Sequence, residues 1–412
     1  MIRRFTVAAA ALLILSACGA QEIQEKATQE AGEPTAASTA TTASEGASEG
    51  ASESPTTTLA ATPTPQTKPK PLRKGERRVT LAMPEAYTPA APKGIGTDDY
   101  RCFVLDPKLK KDAYLTGTQI IPGNPEVVHH VIIFEAPKES DDYIKQLDDA
   151  EEGPGWTCFG QTNFGQDPVD GLNDAPWLGA WAPGGKESVS APGFGRKLEK
   201  GSRIVLQVHY NLLKGAQADI SAIQLRLAPG NTPNMTALHT MLLPGPVELP
   251  CRAGKAKGPL CDREAAMADV KERFGGREGS TNDLLYVLCG GKPKASETTS
   301  CVRPVLEPMT IRAAAGHMHL LGRSIKIEVN PGTPQARTVL DIPVWDFDDQ
   351  GSRVIEPVTV QPYETVKVTC RHVQWLRDRL PAFDHQREDK YVVWGEGTTD
   401  EMCLGILTVT RP

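Results

Sequence analysis

From Val79 onward, short β-branched and aromatic runs alternate with Gly/Pro turns. The runs are CFVL, VVHHVIIF, RIVLQVHYNLL, AIQLRLA, SIKIEV, ETVKVTC, KYVVWG and LGILTV, separated by turn signals such as PGNP, APGG and NPGT. Apolar runs this short, bounded by turn formers, predict strands. Many such strands with little helical periodicity between them predict an all-β fold of sandwich or barrel type. One helical exception is expected over Asp262 to Phe274, DREAAMADVKERF. The folded part covers about 330 residues, too many for one ordinary sandwich. Two β domains are therefore expected, 78–230 and 231–412, with the boundary in APGNTPN near Gly230.

The pattern is absent upstream. Residues 19–76 hold no aromatic side chain and few aliphatics; Ser-Glu-Gly-Ala repeats and Thr-Pro pairs bury too little apolar surface to offset chain entropy. Residues 18–77 are read as a disordered tether. The basic cluster Lys68, Lys70, Arg73, Lys74, Arg77 and Arg78 is read as a solvated domain edge rather than a lipid-binding patch. Residues 1–17 carry Arg3 and Arg4, an apolar run from Phe5 to Leu15 and small residues, the layout of a signal peptide. The run is too short to span a bilayer as a mature helix. The ending Leu15-Ser16-Ala17-Cys18 resembles a bacterial lipoprotein signal, with Cys18 lipidated. The expected location is the cell envelope, with the chain held to a membrane through that anchor.

Charge and cysteines narrow the class. The formal charge is −6, and loss of Arg3 and Arg4 makes it −8. No long basic patch argues for nucleic acid. Export permits disulfides. Setting Cys18 aside, cysteines 102, 158, 251, 261, 289, 301, 370 and 403 remain, an even number with no C-x-x-C spacing.

Five of the eight histidines lie in strand-like apolar segments: His129 and His130, His209, and His317 with His319. His317 and His319 are two apart, so on a strand both leave the same face and suit one metal ion. His129 and His130 are neighbours, which a regular strand sends to opposite faces; sharing an ion requires a bulge or a strand end. Taken singly, each reads as a hydrogen-bonded core or surface imidazole. Taken together, they need partners that apolar strands do not provide, and a metal supplies one. His129, His130 and His209 form one set. His317 and His319 form a second that still lacks a third ligand.

The chain from about Asp98 to its end resembles the copper type II, ascorbate-dependent monooxygenases, which include peptidylglycine α-hydroxylating monooxygenase and dopamine β-hydroxylase. The matching pieces are DYRCFVL, EVVHHVIIFEA, LGAWAPGG, LQVHYN, IRAAAGHMHLLGRS, WDFDDQ and GEGTTDEMC, in that order. The resemblance implies two jelly-roll-like antiparallel β-sandwich domains facing a solvent-filled cleft. It implies one copper on His129, His130 and His209, and a second, catalytic copper on His317, His319 and Met402. A thioether is soft and selects Cu(I) over zinc or hard cations. It also implies hydroxylation of an activated C–H bond of a small organic substrate, with O2 as oxygen source and ascorbate or another reductant as electron donor. Gln207, two before His209, is expected to orient a ligand or a water. Trp345, Asp346, Phe347 and Gln350 resemble a segment of the dopamine branch, with aromatic core and a turn-making Asp as their expected roles.

The resemblance has gaps. Ala315, Leu404 and Ile406 stand where the peptide-amidating branch has its substrate-carboxylate clamp, which speaks against a glycine-extended peptide. Cys102–Cys158 and Cys370–Cys403 resemble family disulfides. A Cys-rich insertion, about 246–300, carries Cys251, Cys261 and Cys289, which with Cys301 allow three pairings; it is expected to be a stapled structural excursion. An exported copper carrier or sensor that lost catalysis is the alternative reading.

Overall fold

The computed structural model describes residues 67–91, 97–159, 172–275 and 278–412, with the side chains of 278–280 left aside. The signal peptide, Cys18 and the tether up to 66 lie outside them. The described residues fall within one compact unit and are mostly strands, with few helices. The fold is all-β, as the alternating runs predict.

Four large sheets carry the chain. The first has five antiparallel strands in the order Trp156–Thr157, Asp98–Leu105, Arg203–Asn211, Val128–Ala136 and Trp177–Trp181. The second runs Arg77–Ala82, Ala222–Pro229, Ala113–Ile121, Phe194–Leu198 and Thr236–Ala237, with Ser188–Val189 also on Ala113–Ile121. Phe103, Val131, Ile133 and Leu206 of the first sheet share a buried cluster with Leu115, Ile120, Ile223 and Leu225 of the second. Val131 and Ile133, like Ile223 and Leu225, are two residues apart on their strands, so one face of each strand is committed to that core; Leu115 and Ile120 share it across the register shift in Ala113–Ile121.

The later sequence builds a matching pair. One sheet runs His239–Pro244, Leu404–Thr410, Met309–His317 and Arg353–Val360. The other runs Thr298–Pro304, Thr365–His372, Gly322–Val329 and Arg337–Ile342. Ile311, Ala314, Leu407 and Val409 meet Cys301, Ile325, Ile327 and Val368 in their shared core. Thr236–Ala237 still pairs with the earlier sheet, whereas His239 opens the later one. The chain therefore crosses at Leu238, several residues beyond the turn at Gly230. A third cluster joins the two pairs: Phe134, Trp177 and Val205 pack with Leu242, Trp394, Met402 and Leu404.

Three details refine the sequence reading. Residues 67–77, assigned to the tether, are tied to the second sheet. Gln119 Nε2 donates to Thr67 Oγ1 at 3.0 Å, and Glu76 pairs with the buried Arg226 at 2.6 Å. The expected helix is present as Arg263–Phe274, with Asp262 as its N-cap accepting from the Ala265 amide at 3.0 Å. Two further helices, Asp141–Asp149 and Glu278–Cys289, were not expected. The first buries only Ile144, too small an apolar stripe to read, although Asp141 and Asp142 suit the positive end of its dipole.

Disulfides join Cys102–Cys158 and Cys370–Cys403, matching the pairs the resemblance implies. The open pairing resolves as Cys251–Cys261 and Cys289–Cys301. Four disulfides fit an oxidising, extracytoplasmic environment. Among the described residues no helix is long and apolar enough to cross a membrane.

Asp262 supplies one of the four amide acceptors that a helix N-terminus needs. Asp262→Ala is expected to lower stability by about 1 kcal/mol in urea unfolding; an unchanged midpoint would show that the insertion contributes nothing to the cooperative unit.

Candidate metal centre

The first three histidines come from adjacent strands of one sheet. His130 stands opposite His209 in the register, and the pairing slips between Val128 and His130. That irregularity is the bulge the sequence demanded, and it lets His129 turn toward the same point as its neighbour. His130 Nδ1 lies 3.2 Å from His129 Nδ1 and 3.0 Å from His209 Nδ1. One ligand atom from each residue lies within 4.8 Å of the others, a group able to hold a metal ion.

Protonation follows from the surroundings. His209 Nε2 donates to Asp98 Oδ1 at 2.8 Å, which leaves Nδ1 as a lone pair. Asp98 is buried and also accepts from the Thr398 hydroxyl and, at 3.2 Å, from the Thr398 amide. Burial alone would raise the Asp98 carboxyl, but the bond to His209 and the Thr398 donors hold it below the ordinary range. Burial, reinforced by His209, lowers His129 to about 3. Burial and the neighbouring imidazoles push His130 well below its ordinary value. A neutral His130 has at most one proton for its two close Nδ1 neighbours. That single proton cannot make a full hydrogen bond to both neighbours, and a cation among the three Nδ1 atoms would satisfy them together.

The second pair is built differently. Met309–His317 ends at His317, so the H-x-H segment straddles a strand end, and the two rings lie 5.1 Å apart. His317 Nδ1 meets Gln350 Oε1 at 2.6 Å. Gln350 Nε2 donates to the Phe347 carbonyl at 2.8 Å, which fixes the orientation of that amide. The hydrogen on His317 is thus assigned to Nδ1, and Nε2 is left as its donor atom. Burial lowers His317 to about 3 and also lowers His319. Both ring nitrogens of the buried His319 lack a hydrogen-bond partner. Such orphaned nitrogens call for a ligand.

Met402 is buried within the cluster joining the two sheet pairs. Its backbone is held against the H-x-H segment. Glu401 Oε2 accepts from the His319 amide at 3.0 Å and the Met402 amide at 3.3 Å, and Oε1 accepts from the Leu321 amide at 2.5 Å. His372 Nε2 donates to the Met402 carbonyl at 3.1 Å. Leu404, two residues on, is the register partner of His317.

The sequence reading did not assign several of the contacts made to the imidazoles. Tyr100 stacks on His209 at 4.1 Å and 7°, and its hydroxyl donates to the Glu396 carbonyl. Phe347 stacks on His129 at 4.6 Å and 17°. Trp345 joins the core and Asp346 makes a turn by accepting from the Asp348 amide, as expected; Phe347 and Gln350, from the same segment, touch imidazoles instead. Gln207 is buried and donates to the Cys158 carbonyl at 3.5 Å, while Asp98 orients His209. Asp98 precedes the first clear apolar run, and Phe347 and Gln350 lie in a polar loop, so no periodicity marked them. A cavity of about 450 Å³ opens beside His129 and Phe347, with Val127, Val128, Leu213 and Leu320 among its apolar walls.

No family model and no curated protein matches the sequence. Among solved structures, the major capsid protein P2 of bacteriophage PM2 is similar at 10% identity and a TM-score of 0.27, over 81% of this chain and 97% of that one. An allantoicase follows at 15% identity and 0.17, over 72% and 78%. A Paenibacillus xanthan lyase follows at 10% and 0.19, over 81% and 25%. Likenesses this slight carry no assignment.

Two outcomes follow from the centre. Asp98→Asn should weaken metal binding by about 10- to 100-fold, the usual cost of losing a partner that orients a ligand; isothermal titration measures it, and equal affinity would remove Asp98 from the site. In the chelated protein, histidines lowered on folding favour the native state above the unfolded value near 6.5. That contribution falls away as the pH drops toward about 3. Thermal midpoints should decline through this range, and His129→Gln should flatten the decline.

Proposed function

We propose that the protein is an exported copper-dependent monooxygenase that hydroxylates an activated C–H bond of a small organic substrate. The reading rests on one observation: five imidazoles from distant parts of the chain come together, and two of them, one from each set, give their protons to acceptors outside the cluster. Asp98 takes the Nε2 hydrogen of His209 and Gln350 takes the Nδ1 hydrogen of His317, so inward-facing nitrogens are left as donors. His319 adds two orphaned nitrogens.

These residues fit copper. Imidazole suits that ion, and a thioether favours its reduced form. His129, His130 and His209 would hold one copper; His317, His319 and Met402 would hold the other. Copper supplies the means to take up O2 and pass electrons, two of which come from ascorbate or a similar reductant. One oxygen atom enters the C–H bond and the other leaves as water.

The chain's own residues orient the ligands and admit the substrate. Glu401 ties the amides of His319 and Met402 to one carboxylate. The cavity beside His129 has room for a small organic molecule, with Val127, Val128, Leu213 and Leu320 as apolar wall and Asn211, Asp348 and Thr398 as polar groups. The two sheet pairs are read as two jelly-roll-like domains, and Cys18 as a lipid anchor at the membrane.

The test loads the mature protein with copper, adds ascorbate and labelled O2, and offers a panel of small substrates. Coupled uptake with one labelled oxygen in the product is expected, and Met402→Ala should abolish product while His129, His130 and His209 retain copper. Slow oxygen consumption, unlinked to product with every substrate, would identify a copper carrier.

A further inference from the structure

The strands that carry His129, His130 and His209 reach a second cavity at their other ends. Val128–Ala136 places Glu135 five residues beyond His130, about 17 Å at the usual strand rise. Ser202 leads into Arg203–Asn211, seven residues before His209. A space of about 320 Å³ opens there, bordered by both residues, by Trp177 and Leu178, and by the crossing at Leu238.

Arg196 borders the same space, and its strand does not account for it. Phe194–Leu198 turns Leu198 into the core, and Arg196, two residues earlier, shares that face; its register partner Leu115 belongs to the same core. Alternation calls for an apolar side chain at 196, and the chain supplies a guanidinium. Among the described residues that guanidinium has neither a hydrogen-bond acceptor nor an ion-pair partner. Asp174, whose field reaches it, is already held by His239 Nδ1 at 3.0 Å and by Arg411 at 3.2 Å. Burial lowers Arg196 to about 10, so it remains a cation at neutral pH. Trp177 is buried, and its indole N–H also meets no acceptor. Orphaned donors on one cavity call for an anion.

Glu135 limits the charge of that anion. It accepts from Ser202 Oγ at 2.9 Å, has no cationic partner among the described residues, and burial raises its carboxyl. Glu139 and Glu199 also border the space. A second negative charge on a ligand would be repelled there, whereas Trp177, Leu178 and Leu238 suit an apolar body.

We propose that this cavity binds a singly charged organic carboxylate, gripped by Arg196 with its apolar body against Trp177, Leu178 and Leu238. The planar guanidinium matches a carboxylate with two parallel bonds. The site stands apart from the histidines, so its occupancy is independent of copper.

The intact, disulfide-bonded protein is titrated calorimetrically with benzoate, with and without copper. Saturable one-to-one binding of equal affinity is expected in both, with succinate at least about tenfold weaker because of its second charge. Arg196→Met should weaken benzoate at least about tenfold, the loss of a charge-assisted pair. Its ligand-free thermal midpoint should be no lower, since an uncompensated charge is removed. Glu135→Gln should bring succinate close to benzoate. Absence of benzoate binding at millimolar concentration would overturn the site, as would undiminished binding to Arg196→Met or succinate binding as tight as benzoate in the unaltered protein. An affinity that copper changes would place the acid at the metal centre instead, and a lowered midpoint in Arg196→Met would make the guanidinium a structural support; either result overturns the proposal.

Discussion

The site depends on the contact of one nitrogen with two others. His130 Nδ1 faces His129 Nδ1 and His209 Nδ1 at 3.2 and 3.0 Å, inside apolar strands. Burial keeps His129 and His130 neutral, and a neutral ring has one proton to place. Asp98 draws the proton of His209 to the far side, so lone pairs converge. Everything around them either maintains that convergence or follows from it. The slipped register at His129 is the backbone's concession to it, and the Tyr100 stack fixes the plane of His209.

The second half of the chain meets this cluster through polar anchors set within an apolar seam. Phe134, Trp177 and Val205 pack against Leu242, Met402 and Leu404, which supplies non-directional attraction between the sheet pairs. Direction comes from hydrogen bonds. Thr398 reaches Asp98, Tyr100 reaches the Glu396 carbonyl, and Gln350 and Phe347 each seat a ring. Asp400 is buried between Arg273 and Lys390; burial would raise its carboxyl, but those two cations hold it far below the ordinary range. A charge so buried must keep its partners, so the insertion and the segment before Met402 are fixed to each other.

The insertion thereby gains a role its composition did not suggest. Its two disulfides, Cys251–Cys261 and Cys289–Cys301, close short loops at either end, and its helix Arg263–Phe274 presents Arg273 inward. Asn282, also buried, accepts from the Val247 amide and donates to Glu248, joining the second helix to the body. The excursion is structural, as read, but its point of attachment lies two residues from Met402.

Strand periodicity, turn chemistry and an even cysteine count made the all-β body legible from the sequence, because those signals are local. The H-x-H pair and the adjacent histidines were legible as anomalies, since imidazoles in apolar runs need partners. The requirement for a bulge at His129 also followed from the alternation of strand side chains alone. Tertiary structure decided what alternation cannot express. It chose the disulfide pairing within the insertion, brought Asp98 behind His209, and turned Phe347 and Gln350 out of a polar loop onto two different imidazoles. It also closed the distance between His130 and His317. That distance depends on how two sheet pairs pack across a shared apolar face, a property of surfaces assembled from the whole chain and written in no single segment of it.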